Sequence, residues 1–79
     1  MLNIKNESDL ALSQQIANSL KEEILSGKYP PGIRIRQEDI AEQFGASRSP
    51  VREALRILEA DGLINLVAHT GAWISHLSL

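Results

Sequence analysis

Gln37–Gly62, QEDIAEQFGASRSPVREALRILEADG, is the stretch that decides how this chain folds. Gln37 to Phe44 has a helical pattern with Ile40, Ala41 and Phe44 on one face, and Gly45 stops it. Glu38 and Asp39 stand in its first turn, where acids suit the positive end of the helix dipole, but Arg36 is a poor cap. A longer helical pattern runs from Arg48 to about Ala60 and ends at Asp61-Gly62. Either Ser47 caps it and Pro50 falls in the first turn, or Ser49 caps it and Pro50 opens it. Both placements suit proline, because the first-turn N–H groups have no partner within the helix. Two helices of this length joined by a glycine-containing turn make a helix-turn-helix, which can seat its second helix in a DNA major groove.

The second helix divides into two faces. With Arg48 at zero on a wheel of about 100° per residue, Arg52 lies near ~40°, Arg56 near ~80° and Ser49 near ~100°. Val51, Ala54, Leu55 and Leu58 fall on the other side, between about −120° and −20°. One face therefore packs inward while its neighbour carries arginines outward. Arg48 stands at the end of a recognition helix that reaches base edges, and a guanidinium pairs bidentately with guanine O6 and N7. Arg52, one turn on, suits a base or a phosphate, and Arg56 a phosphate or an acid. Ser47 and Ser49 cap the helix or hold phosphate at its N-terminus, two compatible roles. Pro50 is read first as shaping the turn and second as a direct contact. The plain alternative is that the three arginines are only a solvated face.

Outward from this stretch, Ile16, Leu20 and Ile24, with Ala17 and Leu25 beside them, mark an earlier amphipathic helix over about Ser13–Ser26, or from near Leu10. Ser8, Asp9 and Ser13 are possible caps, and Gly27 with Pro30-Pro31-Gly32 ends it. Ile33-Arg34-Ile35 reads as a very short strand. Beyond the core stretch, Ile64–Val67 and Ala72–Ser75 read as strands joined by a turn at Ala68-His69-Thr70-Gly71, with Ile33–Ile35 available as a third. The expected fold class is mainly α with a small β-sheet: a winged helix-turn-helix of three helices plus a β-hairpin wing. Residues 1–9 form an N-terminal arm, 10–76 the winged domain, and 77–79 the start of a linker. His69 and Thr70 at the wing tip can reach a minor groove or a flanking phosphate, while Gly71 supplies turn geometry. Trp73 reads as core or domain interface.

Bulk properties set the limits. Seventy-nine residues at 43% hydrophobic allow one small domain with one core. There is no cysteine, so disulfides and Cys-based zinc sites are excluded, which fits the cytoplasm. No apolar run approaches the ~18 residues of a membrane span. The net charge of −2 argues mildly against nucleic acid. Its distribution is more favourable: acids dominate the flanks, while Lys28, Arg34, Arg36, Arg48, Arg52 and Arg56 cluster centrally. No nucleophile elbow, phosphate loop or metal-ligand spacing appears, so an enzyme and a cofactor are not expected. A winged helix used for protein contact is the competing reading, and a fragment of a larger enzyme a third.

Gly32-Ile33-Arg34-Ile35, then DIAEQFG from Asp39, SRSPVREAL from Ser47 and DGLI from Asp61 resemble the winged-helix domain of GntR-type bacterial transcription regulators. The resemblance covers about Leu12 to Ser75, and Pro50 with the VREAL run is most similar to the FadR-type branch with an FCD effector domain. It implies a homodimeric repressor or activator on a short inverted repeat of double-stranded DNA. It further implies a small-molecule effector bound by a C-terminal domain beyond this chain, which would then be a truncated or a separated DNA-binding domain. In that family, residues matching Ser47, Arg48, Ser49 and Arg52 contact DNA, and those matching the wing at His69, Thr70 and Gly71 approach the minor groove. The chain departs from the pattern at Glu38, where some members read a base with arginine, and at the wing, which often carries arginines. Arg34 and Arg36 compensate through phosphate in this reading.

Overall fold

The computed structural model describes the backbone of residues 4–67 and 71–76, and side chains from Leu10 onward within those ranges. The elements are α1 (Ile4–Leu25), β1 (Arg34–Ile35), α2 (Gln37–Phe44), α3 (Arg48–Ala60), β2 (Ile64–Val67) and β3 (Gly71–Ile74). The three strands form one antiparallel sheet in the order β1-β3-β2. Ile33–Ile35 thus does supply the third strand, shortened to Arg34–Ile35 and added to the returning arm of the hairpin. Three helices and a small three-stranded sheet make the expected winged helix-turn-helix.

α1 packs chiefly on α3, and α3 on α2 and β2. The core joins Ile16, Ala17, Leu20 and Ile24 of α1 to Ile40 of α2, Val51, Ala54, Leu55 and Leu58 of α3, and Ile35, Leu63, Ile64, Ala72 and Ile74 around the sheet. Ala41, Phe44, Tyr29 and Leu66 pack on its margin. Every aliphatic residue that the wheel placed on the inner face of α3 is buried. Leu58, at 1% exposed, stands for the energetics: removing such a side chain from water contributes about 2–3 kcal/mol.

All three helices end in the same device. In each, the N–H of the residue after the glycine reaches back five residues, and the glycine N–H bonds one turn inside. The pairs are Lys28 to Glu23 O (3.0 Å) with Gly27 to Ile24 O (3.1 Å), Ala46 to Ala41 O (2.9 Å) with Gly45 to Glu42 O (3.3 Å), and Leu63 to Leu58 O (3.0 Å) with Gly62 to Glu59 O (2.9 Å). These are Schellman closures, and they need a residue in the left-handed region. Gly45, at φ 60° and ψ 37°, fills that role in the turn of the helix-turn-helix.

Five expectations need correction. α1 starts at Ile4 rather than near Leu10 or Ser13, so residues 4–9, assigned to an arm, are helical. No proline or glycine precedes Gly27, and a serine or aspartate within a helix costs only fractions of a kcal/mol, so Ser8, Asp9 and Ser13 lie inside the helix instead of capping it. Ser13 is in fact buried. Leu25 is 59% exposed, because it stands about 140° around the helix from Leu20, outside the arc of ~100° that runs from Ile16 to Ala17. β3 begins at Gly71, one residue earlier than expected, so Gly71 belongs to the strand and not to the turn. Trp73 is not core: Ala72 and Ile74 face inward, and strand alternation puts Trp73, half-buried, on the outer face of the sheet. The wing tip Ala68, His69 and Thr70 and the linker 77–79 lie outside the described residues.

Candidate nucleic-acid interface

The start of α3 is the more anion-attracting of the N-termini of α2 and α3, and the sequence explains why. Ser47 occupies the N-cap position in extended backbone (φ −77°, ψ 176°), but its hydroxyl makes no capping hydrogen bond. Of the two capping alternatives, the position therefore belongs to Ser47, with Ser49 inside the helix. No acid stands in the first turn of α3, whereas α2 carries Glu38 and Asp39 there. The positive end of the α2 dipole is thus offset by its own side chains, and that of α3 is left open to an external anion. The Arg36 position caps α2 through its carbonyl alone, which accepts from Asp39 N (3.1 Å) and Ile40 N (3.2 Å), with no side-chain bond.

Ser47, Arg48, Ser49, Arg52 and Arg56 are all exposed. Among the described residues none of these arginines, nor Arg34 or Arg36, forms an ion pair; the single pair there joins Lys28 to Glu23 at 3.4 Å. Glu53, on α3 itself, is half-buried and leaves them unneutralised. The face holds guanidinium groups, hydroxyls and free helix N–H groups together, which is the donor set that phosphate and guanine edges accept from. Pro50 separates from this set. Its ring is among the fully buried side chains, packed beneath the turn, so it shapes the start of α3 from below.

Two ties that the sequence did not reveal hold the helices and wing in place. Glu23, near the end of α1, accepts from Gln43 Nε2 of α2 at 3.2 Å through the same oxygen that pairs with Lys28. Lys28 also lies 5.5 Å over the Tyr29 ring, at this same corner. Burial, and then the nearby Glu23 charge, raise the Tyr29 hydroxyl above its ordinary value of 10.0. At the other end, Glu59 near the close of α3 accepts from the Leu66 N–H of β2 at 3.1 Å, fixing the wing strand to α3. Asn65 Nδ2 donates to Ser75 Oγ at 3.3 Å across the hairpin base. Glu23 and Glu59 count in the sequence only among the acids of the flanks; their partners lie across elements, where no local pattern shows them.

The wing's described end carries Gly71, with φ 114°. A Cβ there would lie 3.2 Å from Arg34 Nε and 3.4 Å from the Ile35 carbonyl oxygen. Arg34 is thereby brought to the wing, while Arg36 stands at the start of α2. His69 and Thr70 lie outside the described residues. No helix among the described residues is long and apolar enough to cross a membrane, and no cluster of three metal-ligating side chains occurs among them.

Fold and surface together define a winged helix-turn-helix domain of the DNA-binding kind. The family model for bacterial regulatory proteins of the gntR family matches residues 12–74. YdhC of Bacillus subtilis (strain 168), an uncharacterized HTH-type transcriptional regulator, is 45% identical over 64 residues, which is 81% of this chain and 29% of YdhC. A probable D-xylose utilization operon transcriptional repressor of Paenarthrobacter nicotinovorans is 37% identical over 67 residues, covering 85% of this chain and 30% of its own length. The crystal structure of AraR(DBD) in complex with operator ORR3 matches with a TM-score of 0.75 at 28% identity, over 81% of this chain and 78% of that one. The chain belongs to the GntR family of bacterial regulatory proteins, as the DNA-binding domain that such transcriptional regulators carry. It spans roughly a third of the length of the curated relatives it matches.

Proposed function

We propose that the chain binds an inverted-repeat operator in the bacterial cytoplasm, with the start of α3 in the major groove and the wing toward the adjacent minor groove. The observation that carries this reading is the state of the α3 N-terminus: Ser47, Arg48 and Ser49 exposed, no acid in the first turn, no side-chain cap, and no ion pair on Arg48 or Arg52 among the described residues. Arg48 reads a base edge, Arg52 a base or phosphate, Ser47 and Ser49 phosphate. Arg34 and Arg36 add backbone contacts, with His69, Thr70 and Gly71 at the wing. Pro50 supports the turn rather than touching DNA. The solved AraR domain, bound to its operator, supports the general mode.

The wider assembly follows from the family resemblance and is part of the same proposal. A palindromic operator requires two copies related by a two-fold axis, so the full regulator is a homodimer. A small-molecule effector acts through a further domain of the regulator, and the SRSPVREAL run favours the FadR-type branch with an FCD domain. No cofactor is assigned to this domain.

The net charge of −2 favours one competing reading, a winged helix used for protein contact. Salt titration separates the two. Each phosphate contact contributes about −0.9 to the slope of log affinity against log salt, so the DNA reading predicts a slope of several units on a duplex selected by the chain from a random pool. A slope near zero, or no selected consensus, would reject it.

A further inference from the structure

Arg34 and Gly71 meet across the sheet in a way that gives the wing a charge of its own. In the register of β1 on β3, Arg34 stands opposite Trp73 and Ile35 opposite Ala72. Strand alternation then puts Arg34, Trp73 and Gly71 on the outer face, while Ile35 and Ala72 are buried. Gly71 is the diagonal neighbour of Arg34, within reach of a long side chain. A Cβ at position 71 would lie 3.2 Å from Arg34 Nε and 3.7 Å from Nη2. The guanidinium therefore lies along β3 over the glycine, at the end of the strand where the wing tip begins. The side chain missing at Gly71 is the slot it occupies.

The wing lacks a permanent cation. From Ile64 to Ile74 the chain reads INLVAHTGAWI, without lysine or arginine. Arg34 is exposed, and among the described residues no acid pairs with it. We infer that Arg34, donated by β1 and aligned through the Gly71 slot, is the wing's cation and binds a backbone phosphate bordering the minor groove beside the wing. This rests on the DNA-binding reading above and specifies it. Gly71 acts through Arg34 and is a positioning residue; its strand geometry alone would not require it to couple to a charge on β1.

The test is a double-mutant cycle on the duplex selected by the chain, read as the salt slope. Arg34→Ala lowers the slope by about 0.9, one phosphate contact. Gly71→Ala lowers it by the same about 0.9, because the added methyl displaces the guanidinium, and the double variant loses no more than either single one. Strain at φ 114° acts on thermal unfolding in both backgrounds and leaves the slope unmoved. An unchanged slope for Arg34→Ala, or additive loss of about 1.8 in the double variant, overturns the inference. Should Gly71→Ala fail to fold, position 34 can be located directly. The chain has no cysteine, so Arg34→Cys offers a single attachment point for an iron-EDTA cleaving group. Cleavage in the minor groove flanking each half-site supports the inference, and cleavage confined to the half-site centre, or none, overturns it. Failure of the DNA reading looks different: the unmodified chain itself would select no consensus and show a slope near zero.

Discussion

Gly45→Ala isolates the backbone cost of the turn that sets α2 against α3. The glycine sits at φ 60° and ψ 37°, inside the left-handed region. A Cβ built there meets nothing within 4 Å, so no clash is added. The N–H bonds of Gly45 to Glu42 and of Ala46 to Ala41 need no side chain and survive the change. What remains is conformational strain of about 1–2 kcal/mol for a residue with a Cβ in this region. It is offset in part by the ~0.4–1 kcal/mol that alanine gains from a less flexible unfolded chain. The expected net loss is about 1 kcal/mol, which lowers Tm by about 4–8 °C in a domain of this size. Asparagine tolerates the left-handed region, so Gly45→Asn should fall between glycine and alanine. Thermal unfolding followed by circular dichroism measures both. No loss in Gly45→Ala would mean that the turn is not left-handed. A loss above about 3 kcal/mol would mean that the turn packs against something the geometry leaves open.

Leu58→Ala, at a site 1% exposed between α1 and the sheet, should cost about 2–5 kcal/mol in urea unfolding; a loss under about 1 kcal/mol would contradict its place in the core. Tyr29 carries a hydroxyl raised above 10.0, so between that value and its higher folded-state value the unfolded chain has released a proton that the folded chain keeps. Stability contributed by the protonated hydroxyl is therefore whole below about pH 10 and lost as pH rises further, and Tyr29→Phe should flatten that alkaline decline in melts across pH. Arg56→Ala should weaken operator and scrambled DNA alike and reduce the salt slope by about 0.9; a change in base preference instead would move Arg56 into the reading set.

Much of this molecule was legible because its signals are local. Gly45 and Gly62 mark helix ends that the Schellman bonds then close, and the bounds of α2 and α3 follow from the pattern between them. The inner face of α3 follows from angular spacing alone. The start of α1 did not, since nothing between Ile4 and Leu12 distinguishes helix from arm, and serine and aspartate serve inside a helix as well as at its cap. Of the two readings of Trp73, core and domain interface, the core one fails because burial on a strand depends on which parity faces inward, and one aromatic residue does not fix it. The candidate interface was legible as residue types only in its exposure: Ser47, Arg48, Ser49 and Arg52 are exposed together at the start of α3. Its supports were not. Gln43 to Glu23, Glu59 to Leu66 and Arg34 over Gly71 each depend on register and packing between elements. The departure at Glu38 also acquires a consequence: with Asp39 it offsets the α2 dipole and leaves the α3 N-terminus as the open positive end.

The central claim is that Arg48, unpaired at the start of α3, reads a base. Its most direct test compares affinity for the selected operator and for a scrambled duplex, before and after Arg48→Ala, at fixed salt. A bidentate contact predicts that the operator loses about 1–3 kcal/mol while the scrambled duplex loses much less, so that discrimination collapses. An Arg48→Ala chain that still separates operator from scrambled DNA by the original margin would contradict it.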